Sequence, residues 1–267
     1  MNDSPALIAH LKRIAATGSP LQGDARPVDA WLRHGMASAQ LHEIFATQDD
    51  AASAAGFAVA SSLAGHAAPV LWLRTEGSER QGGRLHANGL NEMGLDVGSL
   101  VLAVVDDEAS LLRAAADAAR CKGLGTLLIE SWGRAAGIDL TATRRLMLAA
   151  EASGVTILNL RIGAAPVPSA AATRWQVASC RSRTLEADAP GRPTFDIELL
   201  RRRGGQAGLR WRVEWDRDAY IFDQIAADGQ SPGTEIDDSP PVSGAGISVA
   251  VDRAAADDAP SPLRRTG

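Results

Sequence analysis

A chain of 267 residues, 45% of them hydrophobic, is long enough for one large α/β domain or two small ones and for a substantial core. Its net charge of −5 excludes a wholly basic nucleic-acid coat but leaves room for a local basic patch. No run approaches the roughly 20 uninterrupted apolar residues of a membrane span, and the N-terminus lacks a basic-then-apolar signal pattern, so a cytoplasmic protein without a membrane partner is expected.

The first predicted element is a helix at 4–17, capped by Ser4, with Pro5 in its first turn and Leu7, Ile8, Leu11 and Ile14 on one face. Residues 18–29 read as a Gly/Pro/Asp linker, so 1–29 stand apart from a main domain at 30–227. Residues 39–57 read as strand, polar loop and alanine-rich helix. Gly65-His66 is a stop, and 69–74 an apolar strand. Residues 77–83 read as a polar glycine-containing loop, and 85–93 as a short helix that Gly94 closes. The run LVLAVV at 100–105 has no polar residue and reads as a strand buried on both faces. Asp106 and Asp107 cap a helix at 108–121, on which Leu111, Leu112, Ala115 and Ala119 form a stripe. Gly123-Leu124-Gly125 is a helix-stop turn before a buried strand at 126–129 that ends in Glu130. A helix at 140–152 and a fifth strand at 155–160 follow.

Apolar strands alternating with helices predict a mainly parallel sheet covered on both faces. After about 165 the texture changes. Segments 175–182, 195–203 and 209–215 alternate apolar and polar residues, with Pro190-Gly191 and Gly204-Gly205 as turns, and predict an antiparallel meander at the sheet edge. From 228 to 267 the chain is rich in Asp, Ser, Pro, Gly and Ala and reads as a disordered tail. The two cysteines, Cys121 and Cys180, fit no metal spacing and no disulfide framework. Both stand in apolar company and are expected to be buried free thiols.

The strand–loop–helix at 39–57 has the plan of a phosphate-gripping loop. Such a loop needs G-x-x-x-x-G-K-[ST], so that glycine amides line the anion and a lysine reaches its outer oxygens. Here the first glycine position is Ala46, the second is Ala51, and the lysine position is Ala52. The hydroxyl alone survives, as Ser53, while Asp49 and Asp50 put negative charge where phosphate would sit.

Several segments taken together resemble the ImuA family, RecA-like accessory proteins of bacterial damage-inducible mutagenesis cassettes. They are HGMASAQLHEIFA at 34–46, LWLR at 71–74, GRLHANGL at 83–90, LLIESWG at 127–133, DLTATRRLMLAAEASGVTILNL at 139–160, SAAATRW at 169–175 and GRPTFDIELLRRRGG at 191–205. The resemblance covers most of 5–222. It implies a RecA-type core and a role in the SOS response and translesion DNA synthesis. The implied partners are ImuB, a catalytically inactive Y-family polymerase relative, and an error-prone replicative-type polymerase, with RecA a further candidate. On the RecA-like frame Glu43 follows the first strand as that pattern's Glu does. Glu76 stands where such an ATPase keeps its water-activating acid, and Glu130 where it keeps the metal-side acid, usually Asp. Asn159-Leu160-Arg161 matches the sensor segment, with Leu in place of a polar residue.

Without a phosphate cradle, Glu76 and Glu130 cannot supply the positioning and charge neutralisation that phosphoryl transfer needs. Both are read as polar ends of buried strands, and no catalytic residue, metal or cofactor is expected. His42-Glu43 lacks the second histidine of a zinc helix, because position 46 is Ala46. Ser131 lacks the G-x-S-x-G elbow of a hydrolase nucleophile. Residues 174–217 hold ten arginines against six acids, and Arg201, Arg202 and Arg203 before Gly204-Gly205 read either as a basic hairpin tip that touches DNA phosphates or an acidic partner, or as a solvated strand end. Two other readings are an ATP-dependent DNA-binding enzyme of the RecA class and a SulA-like cell-division inhibitor.

Overall fold

The computed structural model describes residues 30–65 and 69–225. The expected helix at 4–17, its linker, His66 and the tail from 228 lie outside the described residues. Nine strands build one sheet: β1 (Leu41–Ala46), β2 (Val70–Thr75), β3 (Leu100–Val105), β4 (Thr126–Trp132), β5 (Thr156–Ile162), β6 (Thr173–Ser179), β7 (Thr194–Arg202), β8 (Leu209–Asp216) and β9 (Ile221–Ile225). Their order is β3-β2-β4-β5-β1-β6-β7-β8-β9. Every pair from β3 to β6 is parallel, and β6 through β9 form an antiparallel meander. The α-helices between them are α1 (Trp31–His34), α2 (Ala51–Ala64), α3 (Glu76–Gly82), α4 (Ala87–Glu92), α5 (Glu108–Ala118) and α6 (Leu140–Ser153). This is the expected class, a mainly parallel sheet with helices on both faces and antiparallel strands at its C-terminal end.

The inner parallel strands are buried because helices cover both of their faces: every residue of β1 and β5 is buried, the polar His42, Glu43, Asn159 and Arg161 among them. One face packs on α5 and α6 through Leu41, Leu73, Leu111, Leu127, Ile157 and Leu146. The other packs on α2. Half of that helix is alanine, so it comes close to the sheet, and eight of its fourteen residues are buried. Phe57 is its one aromatic side chain. It meets Trp31, Trp175, Phe195 and Phe222 at ring-centroid distances of 6.0, 6.2, 5.8 and 5.4 Å. This aromatic seam joins the parallel half of the sheet to the meander, and it absorbs Trp175, Trp211 and Trp215 into the core. Single-strand stacking on those three rings is therefore closed off. Local signals fix the helix ends. Asp139 Oδ1 accepts from the Ala142 amide at 2.7 Å to start α6, and Gly154, with φ of +91°, stops it.

Several expectations need correction. Residues 77–83 are not a loop: α3 forms because Thr75 caps it, its Oγ1 accepting from the Ser78 amide at 3.0 Å, with Glu76 and Glu79 in the first turn. Strand β3 is not buried on both faces. It is the outer strand of the sheet, and Val101 is 59% exposed. β9 and the short α1 were not foreseen.

Cys121 is exposed, and Cys180 is half-buried. Burial pushes the Cys180 thiol up to about 11, Arg212 drawing it partly back and Asp196 adding to the rise. A thiol reagent at pH 8 is expected to modify Cys121 at once and Cys180 more slowly by about tenfold or more, since the thiolate is the reacting form. Equal rates, read by mass spectrometry of the two peptides, would contradict the placement.

Candidate functional site

In an open parallel sheet, ligands bind where the strands' C-terminal ends meet the loops that follow them. Here that edge carries the loop Thr47–Asp50 after β1, the start of α3 after β2, the end of β4, and the loop after β5. The first is the loop that lacks the glycines and lysine of a phosphate-gripping loop. Asp50 stands at the N-cap of α2, yet its side chain makes no cap hydrogen bond. Its carboxylate is held elsewhere: Oδ1 accepts from the Ser179 amide and hydroxyl, both at 2.8 Å, and Oδ2 from Thr47 Oγ1 at 2.7 Å. The Asp50 amide in turn donates to Thr47 Oγ1 at 3.3 Å. A negative charge is thus fixed between the end of β6 and the N-terminus of α2. Asp49 beside it is exposed, and so is Ala52, where a lysine would have stood. A phosphate approaching this helix end meets two carboxylates and no cation from the loop itself.

The loop is also packed down. The Gly163 amide donates to the Ala46 carbonyl at 2.8 Å, and a Cβ on Gly163 would lie 3.2 Å from Gln48 Cγ. Gly163 has φ of +64°, a conformation that favours glycine.

For Asp50, partial burial raises the carboxyl pKa, but the bonds from Ser179 and Thr47 outweigh it and leave the group below its usual 3.8. A depressed pKa means stability that is present above 3.8 and lost as pH falls through the lower folded value. Asp50→Ala is expected to cost about 1–2 kcal/mol at pH 7, with the gap from wild type narrowing in acid. Denaturation curves at pH 7 and pH 3 check this; a gap that widens in acid would contradict it.

Glu130, expected from the resemblance to stand at a metal-side position, is 5% exposed, and both of its oxygens are engaged. Oε1 accepts from Arg74 Nη2 and from Trp132 Nε1, each at 2.8 Å, and Oε2 accepts from Trp72 Nε1 at 3.0 Å. Arg74, 1% exposed, also donates to the carbonyls of Gly83 and Ser78 at 2.8 and 3.2 Å, so the same ion pair ties α3 to the sheet. A magnesium ion would have to displace three donors to reach this carboxylate. Glu76 is exposed at the start of α3 and pairs with Arg80 at 3.3 Å. It does not meet Glu130 through any bond among the described residues.

Glu43 lies on the opposite face of the sheet, fully buried. Its Oε2 accepts from Arg174 Nε at 2.9 Å and Ser169 Oγ at 2.7 Å. Arg174 also donates to Ser169 Oγ at 2.8 Å and to the Val167 carbonyl. Two residues of the expected basic tip serve the same loop. Arg201 Nη1 reaches the carbonyls of Ser169 and Ala171 at 3.3 and 3.4 Å, and Arg203 Nη2 reaches that of Ala170 at 2.8 Å. Arg202 is half-buried. Asn159 and Arg161 are buried on β5 beside Glu43. Burial pulls the Arg161 guanidinium below its usual range, while Glu43 and Glu108 push back.

His42 is a buried core histidine. Its Nε2 donates to the Ala37 carbonyl at 2.8 Å, which leaves Nδ1 to accept from Thr173 Oγ1 at 2.7 Å. Ser131, also buried, donates to the Leu160 carbonyl at 3.3 Å. Among the described residues no group of three or more His, Cys, Asp or Glu is placed to hold a metal ion, and no helix is long and apolar enough to cross a membrane.

Arg74, the two tryptophans around Glu130, Ser179 and Arg174 were not singled out from sequence. Arg74 carried a signal: a charge inside the apolar strand PVLWLR must find a buried partner. Ser179 carried none, since it is 129 residues from Asp50.

No family model matches the chain, and no curated protein matches it. Among solved structures, the crystal structure of the RadB recombinase is similar, with a TM-score of 0.49 and 12% identity over 78% of this chain and 100% of that one.

Proposed function

We propose that the chain is a non-catalytic RecA-like accessory protein of SOS-induced, error-prone translesion DNA synthesis. It bridges or regulates an ImuB-like Y-family polymerase relative and an error-prone replicative-type polymerase. The family part of this reading rests on the resemblance of the segments between 34 and 205. The non-catalytic part rests on one observation above the others: the helix end that would receive phosphate already faces the protein's own Asp50 carboxylate, held by Ser179 and Thr47. The engaged state of Glu130 supports it.

The test is reconstitution of the purified chain with an ImuB-like protein, followed by gel filtration and steady-state ATPase assay with single-stranded DNA. The expected result is a complex that forms equally with and without ATP, and no turnover above the protein-free blank. DNA-stimulated turnover that is lost in Glu76→Gln would instead establish the ATP-dependent enzyme of the RecA class.

A further inference from the structure

Five polar atoms on the α5 and α6 face of the sheet are buried with no hydrogen-bond partner among the described residues. They are Glu43 Oε1, Asn159 Oδ1 and Nδ2, and Arg161 Nε and Nη1. All five lie in one place. Glu43 and Asn159 are register partners across β1 and β5, so their side chains share a face, and Arg161, two residues beyond Asn159, shares it too. Leu41 and Ile157, one pleat earlier on the same strands, pack with Leu111 of α5 and Leu146 of α6 and fix which face it is. Glu43 and Asn159 are 0% exposed and Arg161 is 1% exposed. Buried polar groups nearly always find a partner, because an unpaired one forfeits its hydration for nothing. Five such atoms on three adjoining side chains call for one shared occupant.

The other polar atoms of these side chains are engaged outward. Glu43 Oε2 takes Arg174 and Ser169, and Arg161 Nη2 donates to the Arg134 carbonyl at 3.2 Å. Arg161 feels the charge of Glu43, yet no hydrogen bond among the described residues joins the two. The mix of atoms says what fits between them. Three are nitrogens that donate and two are oxygens that accept. An anion would satisfy only the donors and a cation only the acceptors. The charges recruit neither, since Arg161 and Arg174 are offset by Glu43 and Glu108. Water both donates and accepts. We propose that Glu43, Asn159 and Arg161 form a closed binding site for a pair of internal waters that bridge β1 to β5. At about three hydrogen bonds per buried water, two waters cover five protein atoms. Arg161 and the Asn159 amide nitrogen donate to them, and they donate to Glu43 Oε1 and Asn159 Oδ1. The bridge also couples two loops: Arg161 holds the one after β4 through Arg134, and Glu43 holds the one before β6 through Ser169. This inference concerns the face away from the loop at 47–50 and stands independently of the role in lesion bypass.

The test is a high-resolution crystal structure of the full wild-type chain, with a second crystal soaked in bromide. The expected result is two density peaks within hydrogen-bond distance of the Arg161 nitrogens, Asn159 and Glu43 Oε1, without anomalous signal after the soak. A direct contact of Glu43 Oε1 with Arg161 or Asn159 that leaves no peak between them overturns the proposal. Anomalous bromide at the site overturns it as well, because the occupant would then be an anion. In solution a double-mutant cycle asks whether Asn159 and Arg161 share a partner. Asn159→Leu and Arg161→Met are each expected to raise the unfolding equilibrium constant by about tenfold or more, because each leaves the waters and the remaining side chains short of a bond. The double variant should raise it by clearly less than the product of the two. Strictly multiplicative effects overturn the shared bridge. Should either variant fail to fold, the wild-type crystals decide the question alone.

Discussion

Replacing Arg74 with methionine is expected to lower the free energy of unfolding by about 3–5 kcal/mol, the loss seen when one partner of a buried ion pair is removed. The change strips Glu130 of its one salt bridge in a site 5% exposed, leaving two indole N–H groups to hold a carboxylate. It also frees α3, whose Ser78 and Gly83 carbonyls lose their donor. Chemical denaturation measures the loss. The double variant Arg74→Met/Glu130→Gln should recover part of it, because a neutral amide in that place no longer needs a counter-charge. A loss under about 1 kcal/mol, the size of an exposed pair, would show that Glu130 reaches water and is open to a metal ion.

Phe57→Ala is expected to cost a similar ~3–5 kcal/mol, the range for removing a buried aromatic ring. The ring is fully buried and touches four others drawn from α1, β6, β7 and β9. The near-ultraviolet circular dichroism of the tryptophans should fall with it, because Trp31 and Trp175 lose a neighbour. An unchanged spectrum together with a small loss would mean that the meander packs without this seam.

The parallel half of the fold was legible because its signals are local. An apolar strand, a capping Asp or Thr and an alanine-rich helix each report on a few neighbouring residues. The strands 41–46, 126–132 and 156–162 and their helices appear within a residue or two or three of where periodicity placed them. Two features hid for different reasons. The run at 100–105 reads the same whether a strand has two neighbours or one, since an apolar edge and an apolar centre differ in what lies beside them and not in sequence. The stretch 77–83 has three glycines and a polar composition, yet Thr75 and the acids of the first turn were enough to start a helix that Arg74 then holds.

The site divided along the same line. That residues 46–53 lack the glycines and lysine of a phosphate-gripping loop could be read residue by residue. What the helix end holds instead could not. Asp50 finds Ser179 across the sheet, and Glu130 finds Arg74, contacts set by β1 lying next to β6 and β2 next to β4. The arginines at 201 and 203 looked free because their acceptors, backbone carbonyls at 169–171, leave no trace in sequence.

Isothermal titration of the full chain with Mg-ATP is the most direct test of whether the helix end after β1 is closed to phosphate. A titration without saturable heat at micromolar protein, unchanged by single-stranded DNA, is the predicted result. One-to-one binding in the micromolar range, with the Asp50 carboxylate displaced from Ser179 in the structure of the complex, would contradict it.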